Sequence, residues 1–323
     1  MNAPASFSPR DCPLCGSPAR TPLLRLDSDS IFRSNWSYRS DRKVQLGLGA
    51  RDFFPVDECA DCRFIYAGLL PGPAFLHMVY DSVIDTDAAR RDNLSPRQLA
   101  AKMGGLATLL RLAPENSAPF RVLDFGCGFG ASLALLAAVA PAVRAVGYET
   151  SAARIADLST RNLEVSGDLE QIARSGPFDA IILDNVLEHV PNPGQTIASI
   201  RKLAAPGALL FVSVPQVDRQ RVLSQQRAAD AGGAVDMDIN PWEHLNYFDM
   251  QHLDKLIARW GFEPIAAARL PDPVDIGLRA SDSIGARSRN GLASFSRLVS
   301  YVLRGDVLPT TTRRFYRLPG DHA

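Results

Sequence analysis

Three glycines at alternate positions, Gly126, Gly128 and Gly130 in RVLDFGCGFG, are the residues best placed to meet a ligand through bare backbone. Apolar Val122 and Leu123 run into Asp124 and the glycines, ahead of the helical run ASLALLAAVA, so the stretch predicts a buried strand, a tight turn and a helix N-terminus. Such a turn takes φ > 0, lets the backbone come close to a ligand and offers free N–H groups to a carboxylate or phosphate. Gly126, Gly128 and Ala131 also fit the G-x-G-x-x-G/A dinucleotide fingerprint, and Glu149 lies about 20 residues downstream, where a ribose-binding acid is expected. Glu149 can accept two ribose hydroxyls; Asp168 can meet an adenine amino group and Leu169 its face.

A second constellation is metal chemistry. Cys12-Pro-Leu-Cys15 and Cys59-Ala-Asp-Cys62 are two short turns that each aim two thiolates at one point, and together they complete a tetrahedral all-thiolate zinc site. A closed four-cysteine site leaves no open position for substrate, so the zinc is expected to be structural. The fifth cysteine, Cys127, lies inside the glycine turn and reads as a small packing residue.

These residues need a scaffold, and the chain is long enough to supply one. With 46% hydrophobic residues in 323, it can bury a sizeable core and exceeds one typical domain. Thirty-five basic residues balance thirty-five acidic ones, so no global field recruits nucleic acid or an anionic membrane. The N-terminus has no apolar leader run, and the greasiest stretch, 131–147, is interrupted by Pro141 and Arg144, which points to a cytoplasmic chain without membrane insertion. Paired, reduced cysteines suit the same compartment.

Residues 1–90 are expected to form a zinc-binding lobe whose aromatics, Phe53, Phe54, Phe64, Tyr66, Phe75 and Tyr80, are mostly core, with one or two lining a substrate cleft. Ser95-Pro96 predicts a helix start, with Leu99, Met103, Leu106 and Leu110 at helical spacing and Pro114 ending it. From Phe120 short apolar runs alternate with helical segments: VLDF, VRAVGYE, NLEVSG, FDAIILDNV, ALLFVSVP and FEPIAAARL. This alternation predicts an α/β, Rossmann-like doubly wound domain over 91–270. The polar stretch between Pro215 and Pro241, with Gly232-Gly233, reads as a lid or substrate loop. The tail from 271 to 323 is rich in arginine without lysine, contains a helical run GLASFSRLVSYVL, and is expected to pack on the domain, finish the sheet or help bind an anion.

VLDFGCGFG, Glu149 at the close of the next strand, FDAIILDNVLEHVPNP and the Pro206-Gly207 turn before ALLFVSVP together resemble the class I S-adenosylmethionine-dependent methyltransferases. The resemblance implies that Asp124, Gly126, Gly128, Gly130, Glu149, Asp168, Leu169 and Asp184 hold S-adenosylmethionine. A four-cysteine lobe ahead of such a domain, with Trp242-Glu243-His244-Leu-Asn-Tyr-Phe behind it, is similar to sugar C-methyltransferases of deoxysugar pathways. Trp-Glu-His-x-Asn-x-Phe segments are also found in methyltransferases of glycan gene sets, so O-methylation of a sugar is implied as well. Glu243 and His244 are the active-site pair by that likeness. His189, in Leu187-Glu188-His189, is a second candidate facing the methyl donor.

A hydroxyl, or a carbon beside a carbonyl, must lose a proton as it attacks a sulfonium methyl, and histidine suits that task near neutrality. His244 is the expected general base, with Glu243 orienting the ring or binding a sugar hydroxyl. His77, His252 and His322 have no supporting partners in the sequence. An RNA methyltransferase with a zinc module is a weaker reading, because the chain is neutral and lacks an Asn-Pro-Pro-Tyr motif. A non-catalytic zinc-ribbon adaptor is weakened by the intact glycine turn and its acids. The partner expected is a small-molecule substrate.

Overall fold

The computed structural model describes residues 6–49, 52–114, 119–231, 233, 235–266 and 311–320. They belong to two compact units, each discontinuous in sequence. One comprises Met1–Asn93, Asn185–Lys202 and Val214–Trp260; the other comprises Leu94–Asp184, Leu203–Ser213 and Gly261–Ala323. Boundaries at residues 90 and 270 therefore differ from the spatial ones. The cause is apolar: Val217, Val222, Val235, Ile239, Trp242 and Tyr247 share one buried core with Leu24, Leu26, Phe54, Val56 and Phe75 of the N-terminal region. The expected helix over GLASFSRLVSYVL, Gly232 and His322 lie outside the described residues.

The first unit begins with β1 (Phe7–Pro9), β2 (Arg20–Asp27), β3 (Phe53–Cys59), β4 (Ile65–Ala67) and β5 (Leu69–Pro71). The second carries β6 (Arg121–Phe125), β7 (Arg144–Tyr148), β8 (Val165–Ser166), β9 (Phe178–Asp184) and β10 (Ala204–Pro215). β11 (Asn246–Tyr247) returns to the first unit, and β12 (Glu263–Pro264) and β13 (Thr311–Arg317) complete the second.

In the first unit β1 pairs with β5, and a four-stranded sheet runs in the order β11-β4-β3-β2 with antiparallel neighbours. Trp242 is its fully buried anchor, edge-on to Phe54 and Phe75 at 5.5 and 5.7 Å and stacked on Tyr38 at 6.1 Å. Each such pair adds about 0.5 to 1.5 kcal/mol to the area buried. Of the N-terminal aromatics, Phe54, Phe64, Tyr66 and Phe75 are buried, whereas Phe53 is exposed.

About half of the expected lid between Pro215 and Pro241 is a helix, Arg219–Asp230. Its residues, RQRVLSQQRAAD, are mostly strong helix formers, and Asp218 caps it by accepting from the Arg221 N–H at 2.8 Å. Polarity there reflects a surface helix that buries Val222 alone.

The second unit is a seven-stranded Rossmann-like sheet in the order β12-β13-β10-β9-β6-β7-β8. β8, β7, β6, β9 and β10 are parallel, giving a 3-2-1-4-5 order that reverses between β6 and β9, the place where open α/β sheets take ligands. Helix Pro96–Leu112, capped by Ser95, contributes Leu106 and Leu109 to a core with Val122, Ile182, Phe211 and Phe315. The C-terminal tail finishes the sheet: β13 inserts between β12 and β10, and Phe315 stacks on Phe211 at 4.8 Å. Among the described residues, no helix is long and apolar enough to cross a membrane.

Candidate active site

The glycine turn leaves β6 as its sequence requires. Gly126, Gly128 and Gly130 have φ of 78°, 55° and 71°, a region that L side chains reach only at a cost of about 1 to 2 kcal/mol. A Cβ on Gly128 would meet nothing within 4 Å, so the turn faces open space there. At Gly130 a Cβ would lie 2.5 Å from Leu158, which is close packing of the next helix.

Glu149, at the end of β7, is buried and ties this turn together. Its Oε2 accepts from the Gly128 N–H at 3.0 Å, and its Oε1 accepts from Thr150 and Ser151 at 2.8 Å each. Arg154 adds a charge at 3.6 Å. A carboxylate offers about four acceptor sites, so Glu149 retains capacity for a hydroxyl beside its three backbone donors.

Asp168 follows β8 as an exposed N-cap, its Oδ1 accepting from Glu170 at 2.8 Å, with Leu169 exposed beside it. Asp184, at the end of β9, is paired with Lys102 from helix Pro96–Leu112. Burial opposes the Lys102 charge, and Asp184 and Asp124 outweigh that, so its pKa is raised. Asp124 is fully buried, and burial lifts its pKa to about 7 against the opposing pull of Lys102; Asp184 pushes it further up and a Ser132 hydrogen bond lowers it. Lys102 carries no motif in the sequence, and only the packing of its helix brings it to these acids. Burial also pushes the Cys127 thiol up, out of reach of ionisation near neutrality, as befits a packing residue.

In the other unit, Cys12, Cys15, Cys59 and Cys62 converge, with every sulfur within 4.8 Å of the others. Cys12 to Cys62 and Cys15 to Cys59 are each 3.5 Å, near the roughly 3.8 Å edge of a tetrahedron with 2.3 Å zinc–sulfur bonds. Gly16 and Arg63 follow the second cysteine of each pair with φ of 76° and 66°, closing equivalent turns. His252 is structural: Nε2 lies 2.9 Å from the Cys62 carbonyl and Nδ1 2.8 Å from Asp249. The thiols thus fit a zinc ion.

His189 and His244 come together in this same unit, ring centroids 4.7 Å apart and edge to face. His189 lies four residues beyond Asn185, whose φ of 55° turns the chain sharply after β9. Its Nδ1 is 3.0 Å from the Glu243 carbonyl, with the Tyr80 hydroxyl at 3.4 Å. The Nδ1 of His244 is 2.8 Å from the Asp238 carbonyl. A carbonyl only accepts, so each Nδ1 carries a hydrogen.

The Glu243 carboxylate enters a cluster of donors. Its Oε1 accepts from Asn35 at 3.0 Å, from Asn240 at 3.1 Å and from Tyr38, all buried or partly buried. That network and the Tyr38 hydroxyl, whose pKa burial and Glu243 both raise, had no signal in the sequence. Asn246 locks the two histidine segments together by donating to the carbonyls of Leu187 and Val190 at 2.8 and 2.7 Å. Arg10 braces Asn246 at 3.0 Å and the Pro191 carbonyl at 3.1 Å, and burial lowers its pKa to about 10.

A family model described as a methyltransferase domain matches residues 96–267, more than half of the chain. The chain belongs to this methyltransferase family. Within it, the chain is similar to the ubiquinone biosynthesis O-methyltransferases of Burkholderia cenocepacia and Burkholderia thailandensis, each 34% identical over 100 residues, 29% of this chain and 43% of the relative. The match spans less than half the length of those curated relatives. Among solved structures, the chain is similar to the plantazolicin methyltransferase BamL, at 12% identity and TM-score 0.48 over 75% of this chain and 94% of that one. The methyltransferase domain thus accounts for β6 to β12, and the four-cysteine region precedes it.

Proposed function

We propose that the protein transfers a methyl group from S-adenosylmethionine to a small-molecule acceptor, a nucleotide-linked or glycan sugar. Asp124, Gly126, Gly128, Gly130, Glu149, Asp168, Leu169 and Asp184 would hold the cofactor; the open face of Gly128 and the spare acceptor capacity of Glu149 support this assignment. The cofactor supplies an electrophilic methyl on sulfur. Zinc would sit on Cys12, Cys15, Cys59 and Cys62 and staple the lobe.

The observation that carries the catalytic reading is the histidine pair, with both Nδ1 atoms held by carbonyls. With S-adenosylmethionine bound, the pair would take the proton that the acceptor's O–H or C–H group gives up on methylation. His244 is the base and His189 its neighbour. Glu243 is a positioning residue: its carbonyl fixes His189 and its carboxylate fixes the turn that bears His244. The likeness to ubiquinone O-methyltransferases supports methylation of oxygen in a small molecule. Incubation with radiolabelled S-adenosylmethionine and a panel of nucleotide sugars tests the reading, and label in none of them removes the sugar assignment.

A further inference from the structure

We propose that Glu188, His189 and His244 form a binding site for one divalent transition-metal cation, distinct from the four cysteines. One ligating atom from each of the three lies within 4.8 Å of the other two. Two imidazoles and one carboxylate are a donor set suited to zinc, cobalt, iron or manganese.

The histidine tautomers already match. Metal-ligating histidines characteristically donate their second ring N–H to a carbonyl or carboxylate, which fixes the ring and leaves the other nitrogen for the metal. His189 does this to Glu243 at 3.0 Å, and His244 to Asp238 at 2.8 Å. The loop carrying Asp238 is itself clamped, since Arg221 binds the Asp236 and Asp238 carboxylates at 2.6 Å each.

The backbone holds the donors in register. The Glu188 carbonyl accepts from Leu245 at 2.6 Å and Asn246 at 3.1 Å, the two residues directly after His244, so both arms of the set are stitched at their bases. Glu188 itself is 2% exposed, and a buried carboxylate gains by facing a cation. Bonds of 2.0 to 2.1 Å need donors about 3.0 to 3.4 Å apart, so loading draws the side chains together on a backbone already fixed.

Three protein ligands leave coordination positions open to water or to an oxygen of a bound small molecule. The cation takes the lone pairs that otherwise take a proton, so the two occupants exclude each other. A single carboxylate with two nitrogens favours the transition metals over calcium. The inference stands apart from the methyl-transfer reading, because binding is measured with neither donor nor acceptor present.

The test is a titration of the full chain, zinc-loaded at its cysteines, with manganese(II) followed by electron paramagnetic resonance and with zinc(II) followed by calorimetry. Manganese does not displace zinc from thiolates, so its uptake reads this site alone. The expected result is one further cation per chain, with affinity at least about 10-fold weaker in His244→Ala and in Glu188→Gln. The wild-type stoichiometry decides even where a variant fails to fold: no uptake beyond the cysteine zinc overturns the proposal. Undiminished uptake in a folded His189→Ala/His244→Ala variant overturns it as well.

Discussion

The carbonyl oxygen of Glu243 lies 3.0 Å from Nδ1 of His189, while the Glu243 carboxylate points into a buried cluster with Tyr38, Asn35 and Asn240. One residue therefore sets a ring through its main chain and a turn through its side chain. Residue 243 and residue 189 come from segments of the chain far apart, and Asn246 and the Glu188 carbonyl hold those segments together.

This division of labour separates two substitutions. Glu243→Gln keeps the carbonyl and the size of the side chain, so turnover is expected to fall modestly, by about 10-fold or less. His244→Ala should lower kcat by about 10² to 10⁴, the usual size of a general-base contribution, with cofactor binding unchanged. Steady-state kinetics on the two variants checks this; equal losses would make the carboxylate a catalytic group.

Cofactor binding is expected to depend on the glycine turn. Glu149→Ala removes the acceptor of three backbone N–H groups, and Gly128→Val places a side chain in the open face at a φ of 55°. Calorimetry with S-adenosylmethionine and S-adenosylhomocysteine should show affinity falling by about 10-fold or more in each, a loss of 1.4 kcal/mol or more. Wild-type affinity in both would detach the cofactor from this turn.

Elemental analysis of protein purified without chelator should find zinc bound at the four cysteines. Cys12→Ser is expected to lose that zinc and to destabilise the lobe by several kcal/mol, since binding energy at a structural zinc is folding energy. Thermal unfolding checks it, and an unchanged melting temperature would leave the cysteines without a structural role.

Asp124 gives a pH signature. It titrates near 7 in the folded chain against about 3.9 unfolded, so between those values the folded state retains a proton that the unfolded state has lost. Stability from this group is therefore highest below pH 4 and declines as pH rises through 7, by up to about 1.4 kcal/mol per pH unit. Asp124→Asn should flatten that slope in denaturant unfolding curves. Parallel curves for both proteins across the range would show that Asp124 is ionised throughout.

The sequence by itself determined the parts whose signals are local. The glycine turn was legible because only glycine accepts three positive φ angles in five residues, and the thiol site because paired cysteines at short spacing have few other uses. The parallel strands followed from apolar runs alternating with helical ones, since period and length are properties of consecutive residues. Tertiary structure decided the rest. Lys102 meets Asp184, and Tyr38 meets Glu243, through packing of segments with no shared motif. Polar composition between Pro215 and Pro241 suggested a loop, although a surface helix with a single buried valine is just as polar. The direction of the Glu243 side chain, into a cage of buried and partly buried donors, could not be read from the neighbouring positions of Glu243 and His244. Adjacency along a chain fixes covalent distance, whereas orientation is chosen by whatever the fold packs against each side chain.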